Sequence, residues 1–398
     1  MTRFIRTYLL AFACLCLVLG TGLAADENRT VVDSRGVAVQ LPSEISRVVT
    51  ISDGLVEGVM TVLGVQDKLV GVGSSCLQSN FNYTYPTVSG GNFTYADGMN
   101  PVLYLNPWIS DLPLIADEGV NFEALAGLKP DVVIMRIGDC TFWTVDVKDE
   151  NVQKSIDTIE SLGIPLVVLY GPNCYDSPDI FRISDEIRII GQVFGKEEKA
   201  EKMAEYLQAQ VDLIKDRTQN VTDKDKPTVL IFGLSPSARK QGGAGVVFGT
   251  DTIESYLIED LVHARNAYQD KGYFKVLSAE QVLALNPDVI VLATAAGYHP
   301  PRELYEAPYY QNLQDLDAVK NKRVLAMPWT PCNCVKRQEY PIDVMVIAKA
   351  AYPDKFKDID LGQWLLDFYQ NVYGVNQETA KKLRSAQWMD WAAEDATS

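Results

Sequence analysis

The sequence predicts an α/β protein of two lobes, each built on a central, mostly parallel sheet, bridged by one long α-helix. Three observations predict it. First, residues 177–218 read as two helices in tandem. Ile180, Ile183, Ile187, Ile190 and Phe194 form one apolar stripe, Gly195 interrupts, and Ala200, Met203, Leu207, Val211 and Ile214 resume it. The second helix, about 22 residues at about 1.5 Å each, is roughly 33 Å long, enough to run from one lobe to the other. Second, the chain before this run resembles the chain after it. Residues 121–135 contain Leu-Lys-Pro-Asp-Val-Val and residues 277–294 contain Leu-Asn-Pro-Asp-Val-Ile. Each reads as a short helix with an early acid (Glu123, Glu280), a proline that stops it, an aspartate that opens a turn, and a buried strand. Third, the period of roughly 150 residues means duplicated lobes, not a solenoid.

In chain order, residues 1–25 read as an export signal. Arg3 and Arg6 precede an apolar run over residues 8–19, and Gly22-Leu23-Ala24 supplies small residues for cleavage. The run is short for about 30 Å of hydrocarbon, which favours removal over retention as an anchor. Residues 26–176 then form the N-terminal lobe, 177–218 the linker with the spine helix, and 219–398 the C-terminal lobe with a helical tail.

Within the first lobe, residues 30–33 and 37–39 flank a Ser34-Arg35-Gly36 turn, a hairpin signal. Val48-Val49-Thr50-Ile51 is a strand running into Ser52-Asp53-Gly54 at the head of a helix, and residues 68–73 give the next strand. Residues 78–114, rich in Asn, Tyr, Gly and Pro, read as a long irregular loop, a length that covers or builds a site. Residues 161–171 close the first lobe with a strand. Residues 227–233, 249–262 and 320–328 supply strand, helix and strand in the second. The three amphipathic helices at 339–349, 361–373 and 376–391 are expected to pack on the second lobe.

Charge narrows the partners. The chain has 52 acidic and 36 basic residues, a formal net charge of −16, which argues against nucleic acid and anionic lipid. Asn-x-Thr triplets at Asn28, Asn82, Asn92 and Asn220 are compatible with export.

Taken together, the export signal, the hairpin, Arg-Val-Val-Thr, the pair Gly90-Gly91, Leu-Lys-Pro-Asp-Val-Val, the helical run and Asn-Pro-Asp-Val-Ile resemble one family. These are the extracytoplasmic solute-binding proteins of ABC importers for iron–siderophore complexes, haem and cobalamin. The resemblance covers roughly residues 28–350. It implies a ligand cleft between the lobes, no catalysis, no resident cofactor, and a monomer placed in the periplasm or on the outer face of the cytoplasmic membrane. It also implies two protein partners, a permease and its ATPase. The transported ligand is then an iron(III) complex of siderophore or haem type, with cobalamin as the alternative. The resemblance further marks Glu123 and Glu280, at the start of the helix before each Pro-Asp strand, as docking acids for permease arginines.

Ligands of open parallel sheets bind beyond the carboxyl ends of the strands. Residues falling there, with the glycines of the flanking loops, are Asp53, Gly91, Arg136, Trp143, Tyr170, Gly243, Tyr298, His299, Trp329 and Arg337. The aromatics suit walls for a large rigid ligand, and the arginines suit carboxylate or catecholate oxygens. Cys76, Cys140, Cys174, Cys332 and Cys334 also fall after strands. Two readings of them stand: disulfides pinning loops, for instance Cys140 with Cys174, or a soft-metal ligand set around Cys332 and Cys334.

A reading of another class is an exported cysteine-ligated metalloprotein or an enzyme. Against the enzyme stand the lack of a nucleophile elbow, phosphate loop, dinucleotide fingerprint or His-Glu-x-x-His motif, and a count of two histidines.

Overall fold

The structure, a computed structural model, describes residues 29–116, 119–139, 141–142, 144–234, 236–293, 301–329 and 336–394. The expected export signal lies outside these residues. The chain opens with the antiparallel pair β1 (Arg29–Val32) and β2 (Ala38–Leu41). The first lobe continues with β3 (Val48–Ile51), α1 (Leu55–Leu63), β4 (Leu69–Val72), the hairpin β5 (Phe81–Pro86) and β6 (Asn92–Gly98), and α2 (Pro101–Leu105). It ends with α3 (Phe122–Leu128), β7 (Val132–Ile137), α4 (Glu150–Ser161) and β8 (Leu166–Tyr170). Its main sheet is parallel throughout, in the order β4-β3-β7-β8.

Two helices link the lobes, α5 (Arg182–Phe194) and α6 (Glu197–Thr218). The glycine between them, Gly195, takes the left-handed conformation (φ 62°) that ends α5. Helix α5 begins at Arg182, a few residues into the run expected to be helical from 177, and Asp179 accepts the backbone N–H of Phe181 in a local turn at 3.0 Å.

The second lobe holds β9 (Thr228–Gly233), α7 (Pro236–Lys240), β10 (Gly245–Val247), α8 (Ile253–Tyr256), β11 (Arg265–Asn266) and β12 (Lys275–Leu277). It continues through α9 (Ala279–Leu285), β13 (Val289–Leu292), α10 (Pro301–Glu306), α11 (Asp317–Lys320) and β14 (Val324–Ala326). Strands β11, β9, β13 and β14 are parallel, and β10 and β12 add an antiparallel edge. Helices α12 (Tyr340–Ala351), α13 (Leu361–Tyr373), α14 (Gln377–Ala386) and α15 (Trp391–Glu394) form the tail.

The Pro-Asp repeat has the same local physics in both lobes. Lys129 (φ 47°) and Asn286 (φ 36°) end α3 and α9 in the left-handed region, and proline follows each. Asp131 then accepts the backbone N–H of Ser46 at 2.7 Å and of Arg47 at 2.8 Å, while Asp288 accepts that of Thr228 at 2.8 Å. Each aspartate therefore pins the start of the central strand of its own sheet.

Alternate residues of the sheets face two cores, which is why their strands are apolar without a break. Val48, Val132, Ile134, Val167 and Leu169 of the first sheet share one core with Val229, Ile231, Val289 and Val291 of the second, through the stripes of α5 and α6. Val49, Val133, Met135 and Val168 face the outer core of the first lobe, and Leu230, Phe232, Ile290 and Leu292 that of the second.

Two expectations are corrected. Residues 78–114 are not an irregular loop, because β5 and β6 pair antiparallel within them. Phe81, Tyr83, Tyr85, Phe93 and Tyr95 alternate with exposed Asn82, Thr84, Asn92 and Thr94, so one face of the hairpin is aromatic. That face packs on the second lobe, where Tyr85 joins the core of Leu230, Phe232 and Ile290. The tail, in turn, does not pack on the second lobe alone. Helix α13 touches α1, and α14 touches α2 and β6, all in the first half of the chain.

Candidate functional site

After β3, Asp53 is buried, its backbone N–H donating to Asp139 at 2.8 Å and its carbonyl accepting from Asn100 at 3.4 Å. Gly54 holds φ 120° with the Asn100 amide against it, so a side chain there has no room. Asp53 therefore shapes the first turn of α1.

Arg136 stands near the end of β7 and is fully buried. Its guanidinium takes Glu186 of α5 bidentately, at 2.6 and 2.9 Å, donates to Asp139 at 2.7 Å and reaches the carbonyl of Lys336 at 3.1 Å. Burial works against its charge, but the Asp139 and Glu186 carboxylates more than offset it, and its pKa is raised. The expectation that Arg136 anchors ligand is corrected. Its donors are spent on fastening the first lobe to α5 and to the second lobe.

Glu57 in the first turn of α1 is fully buried, and among the described residues neither of its carboxylate oxygens has a hydrogen-bond partner. Burial pushes its pKa up to about 7, and Asp139 and Asp53 add to the shift. A carboxyl in this position is best held neutral.

On the second lobe, Lys336 is buried and pairs with Asp343 at 2.9 Å, with Glu254 at 3.7 Å. Lys336, Arg337, Glu339, Tyr340, Asp343, Pro328 and Gln387 line a small void. Arg337, expected as a ligand anchor, is almost wholly buried beside this void. Trp329 is also buried, stacked on Trp388 at 4.3 Å and edge-on to Phe81 at 5.4 Å. It is part of a packed aromatic group, which corrects its expected place as a cleft wall.

Arg239 follows β9 and is only partly covered. Its guanidinium lies 4.0 Å from the ring centre of Tyr309, donates to the Tyr310 hydroxyl at 2.6 Å, and is 3.9 Å from Glu303. Glu303 is fully buried and accepts from Tyr83 at 2.6 Å and from Tyr309 at 2.7 Å. Burial raises its pKa to about 7. Arg239 therefore offers a cation that its nearest acid neutralises only in part.

Other expected residues scatter. Tyr170 is half-buried against Tyr175. Gly243 sits under Val276 just before β10. Gly91 is exposed at the tip of the β5–β6 hairpin, in a turn its φ of 83° permits. Trp143, Tyr298, His299, Cys140, Cys332 and Cys334 lie outside the described residues. Glu123 and Glu280 are both exposed in the first turns of α3 and α9.

The Cys140–Cys174 pairing is corrected. Cys174 is a free thiol that donates to the carbonyl of Ile137 at 3.4 Å, and burial pushes its pKa up to about 12. Cys76 is the described cysteine that forms a disulfide. Among the described residues, no group of three His, Cys, Asp or Glu side chains is placed to hold a metal ion.

Sequence reasoning missed Glu57, Glu186 and Glu303. Nothing in their local sequence marks them, because their importance comes from burial. It also missed the hairpin, whose signal was present in the alternation of aromatic and polar residues.

The chain is 25% identical over 367 residues to the molybdate-binding protein MolA of Haemophilus influenzae, covering 90% of this chain and 94% of that protein. It is 26% identical over 208 residues to the vitamin B12-binding protein of Yersinia pestis, covering 50% of this chain and 64% of that one. Among solved structures, a periplasmic solute-binding protein of Veillonella parvula superposes with a TM-score of 0.68 at 22% identity, covering 92% of this chain and 98% of that one. The molybdate-bound MolA structure superposes with a TM-score of 0.62 at 23% identity, covering 88% of this chain and 99% of that one. Residues 48–330 match the periplasmic binding protein family, and the chain belongs to that family.

Proposed function

We propose that this chain is the extracytoplasmic substrate-binding protein of an ABC importer, which captures a negatively charged metal species between its lobes and releases it chemically unchanged to a permease. The first reading of the ligand is an iron(III) complex. The observation that carries the negative charge is Arg239: a partly exposed guanidinium, stacked on Tyr309 beyond the carboxyl end of β9. Stacking orients a guanidinium so that its N–H edge is directed at oxygen acceptors. The neighbouring tyrosines offer ring surface for a chelate.

A second reading, a compact oxyanion of the molybdate kind, is favoured by the similarity to MolA along nearly the whole chain. The vitamin B12-binding relatives, matched over half the chain, support a corrinoid less strongly. In each reading Glu123 and Glu280 are the acids that meet the permease.

Purification from the native host, followed by a visible absorption spectrum and metal analysis, tests the proposal. An iron chelate gives a visible charge-transfer band with iron, and an oxyanion gives molybdenum or tungsten without such a band. Turnover of a substrate by the purified protein would overturn the proposal.

A further inference from the structure

The β5–β6 hairpin and the C-terminal tail cross between the lobes in opposite directions. The hairpin is rooted in the first lobe: Leu77 before it and Val102 after it lie in the core with α1, and Asn106 of the returning chain donates to Thr61 of α1 at 2.9 Å. Its body belongs to the second lobe. Tyr85 is 1% exposed in the outer core there, the Val88 N–H donates to the Glu306 carbonyl at 2.8 Å, and Arg302 covers the Phe93 ring at 4.0 Å. The tail follows the second lobe in sequence yet packs on α1 and α2.

The two crossings meet in one aromatic group. Trp329, from the end of β14, stacks on Trp388 of the tail at 4.3 Å. Phe81 of β5 lies 5.4 Å from Trp329, and Tyr95 of β6 lies 5.4 Å from Trp388. The indole N–H of Trp388 donates to the Ala96 carbonyl at 3.0 Å, and the Met99 N–H donates to the Ala386 carbonyl at 3.1 Å. Gly98 fits beneath both indoles; a methyl group there would lie 2.5 Å from each.

We infer that the group of Phe81, Tyr95, Gly98, Trp329 and Trp388 is a clasp that fixes the distance between the lobes and so sets the width of the cleft. The bonding supports a fixed brace rather than a surface flap. Its hairpin contributes a fully buried ring to the other lobe's core, and its polar outer face leaves one orientation in which the aromatic face is covered. The step from lobe distance to ligand size rests on the interlobe cleft being the ligand site. The clasp itself does not, so its test needs no ligand.

The test is hydrogen exchange and small-angle scattering on the full chain, comparing wild type with Gly98→Ala. The wedge is expected to speed exchange by about tenfold or more in both residues 81–98 and residues 377–394, while β3, β7, β9 and β13 keep their protection. The radius of gyration is expected to rise. If Gly98→Ala does not fold, Tyr83→Phe is the gentler probe, expected to speed exchange several-fold in residues 81–98 and 301–306 together. Thr84→Ala, on the outer face, should match wild type. Faster exchange confined to the hairpin, with the tail and residues 301–306 unchanged and an unaltered scattering profile, would overturn the clasp. Such a result would leave the proposed importer role standing, because that role is read from ligand and metal analysis.

Discussion

The hydroxyl of Tyr83 donates to the carboxyl of Glu303 at 2.6 Å, joining residues 220 positions apart in the chain. Tyr83 comes from the first lobe's half of the sequence, Glu303 from the second, and Glu303 is fully buried where they meet. The neighbouring Tyr85 is the larger contributor, since its ring fills the second lobe's outer core. Tyr85→Ala is expected to cost about 3–5 kcal/mol, as for other large aromatic truncations. Tyr83→Phe should cost about 1 kcal/mol or somewhat more, because it leaves a buried carboxyl short of a donor. Chemical denaturation measures both. Equal, small losses would mean that the hairpin lies loosely on the surface.

Arg136 gives a second prediction. It answers two buried carboxylates, Glu186 and Asp139. Arg136→Leu should destabilise the protein by about 3–5 kcal/mol, the cost of stranding buried charge, whereas the double change Arg136→Leu with Glu186→Leu should recover part of the loss. Unfolding midpoints of the two variants decide it. A stable Arg136→Leu protein with weakened ligand binding would instead restore Arg136 to the cleft.

Glu57 gives a pH prediction. Burial raises its pKa from 4.5 to about 7. Between those values the folded state holds a proton that the unfolded chain has lost. Stability from this group is therefore full below about 4.5, falls as pH rises through the window, and is flat above about 7. One such proton contributes a slope of about 1.4 kcal/mol per pH unit in mid-window. Glu57→Gln removes the group, so the stability difference between variant and wild type should shift in the variant's favour from pH 5 to pH 8. A difference that does not change with pH would mean Glu57 is ionised and partnered.

These residues also show what sequence could and could not convey. Spacing was enough for the lobes, for α6 as the spine, and for the Pro-Asp repeat, because each is a local signal written in consecutive residues. The hydrogen bonds of Asp131 to Arg47 and of Asp288 to Thr228 give that repeat a physical reason. The hairpin was legible in principle: Phe81-Asn82-Tyr83-Thr84-Tyr85 alternates with period two. It reads as loop only if length and composition are weighed above alternation. Arg136 and Trp329 were placed at the correct strand ends, but which direction each side chain takes there depends on Glu186 and Trp388, residues 50 and 59 positions away. No local pattern encodes such pairings.

The acids proposed to meet the permease provide a fourth prediction. Glu123 and Glu280 are exposed, at matching positions of the two lobes. Glu123→Arg with Glu280→Arg should leave folding and ligand affinity near wild type while blocking uptake, since like charges at a docking surface repel. Transport assays in cells carrying the native permease measure this. Full uptake by the double variant would remove both residues from the docking surface.

Arg239 is proposed as the anchor of an anionic metal species bound between the lobes. Calorimetric titration of wild type and Arg239→Gln, with a ferric tris-catecholate and with molybdate as probes, tests it most directly. Wild type is expected to bind one of the two probes one-to-one, with affinity weakened about tenfold or more in Arg239→Gln, as for loss of a charge-assisted contact. Failure of wild type to bind either probe, or equal affinity in the two proteins, would contradict it.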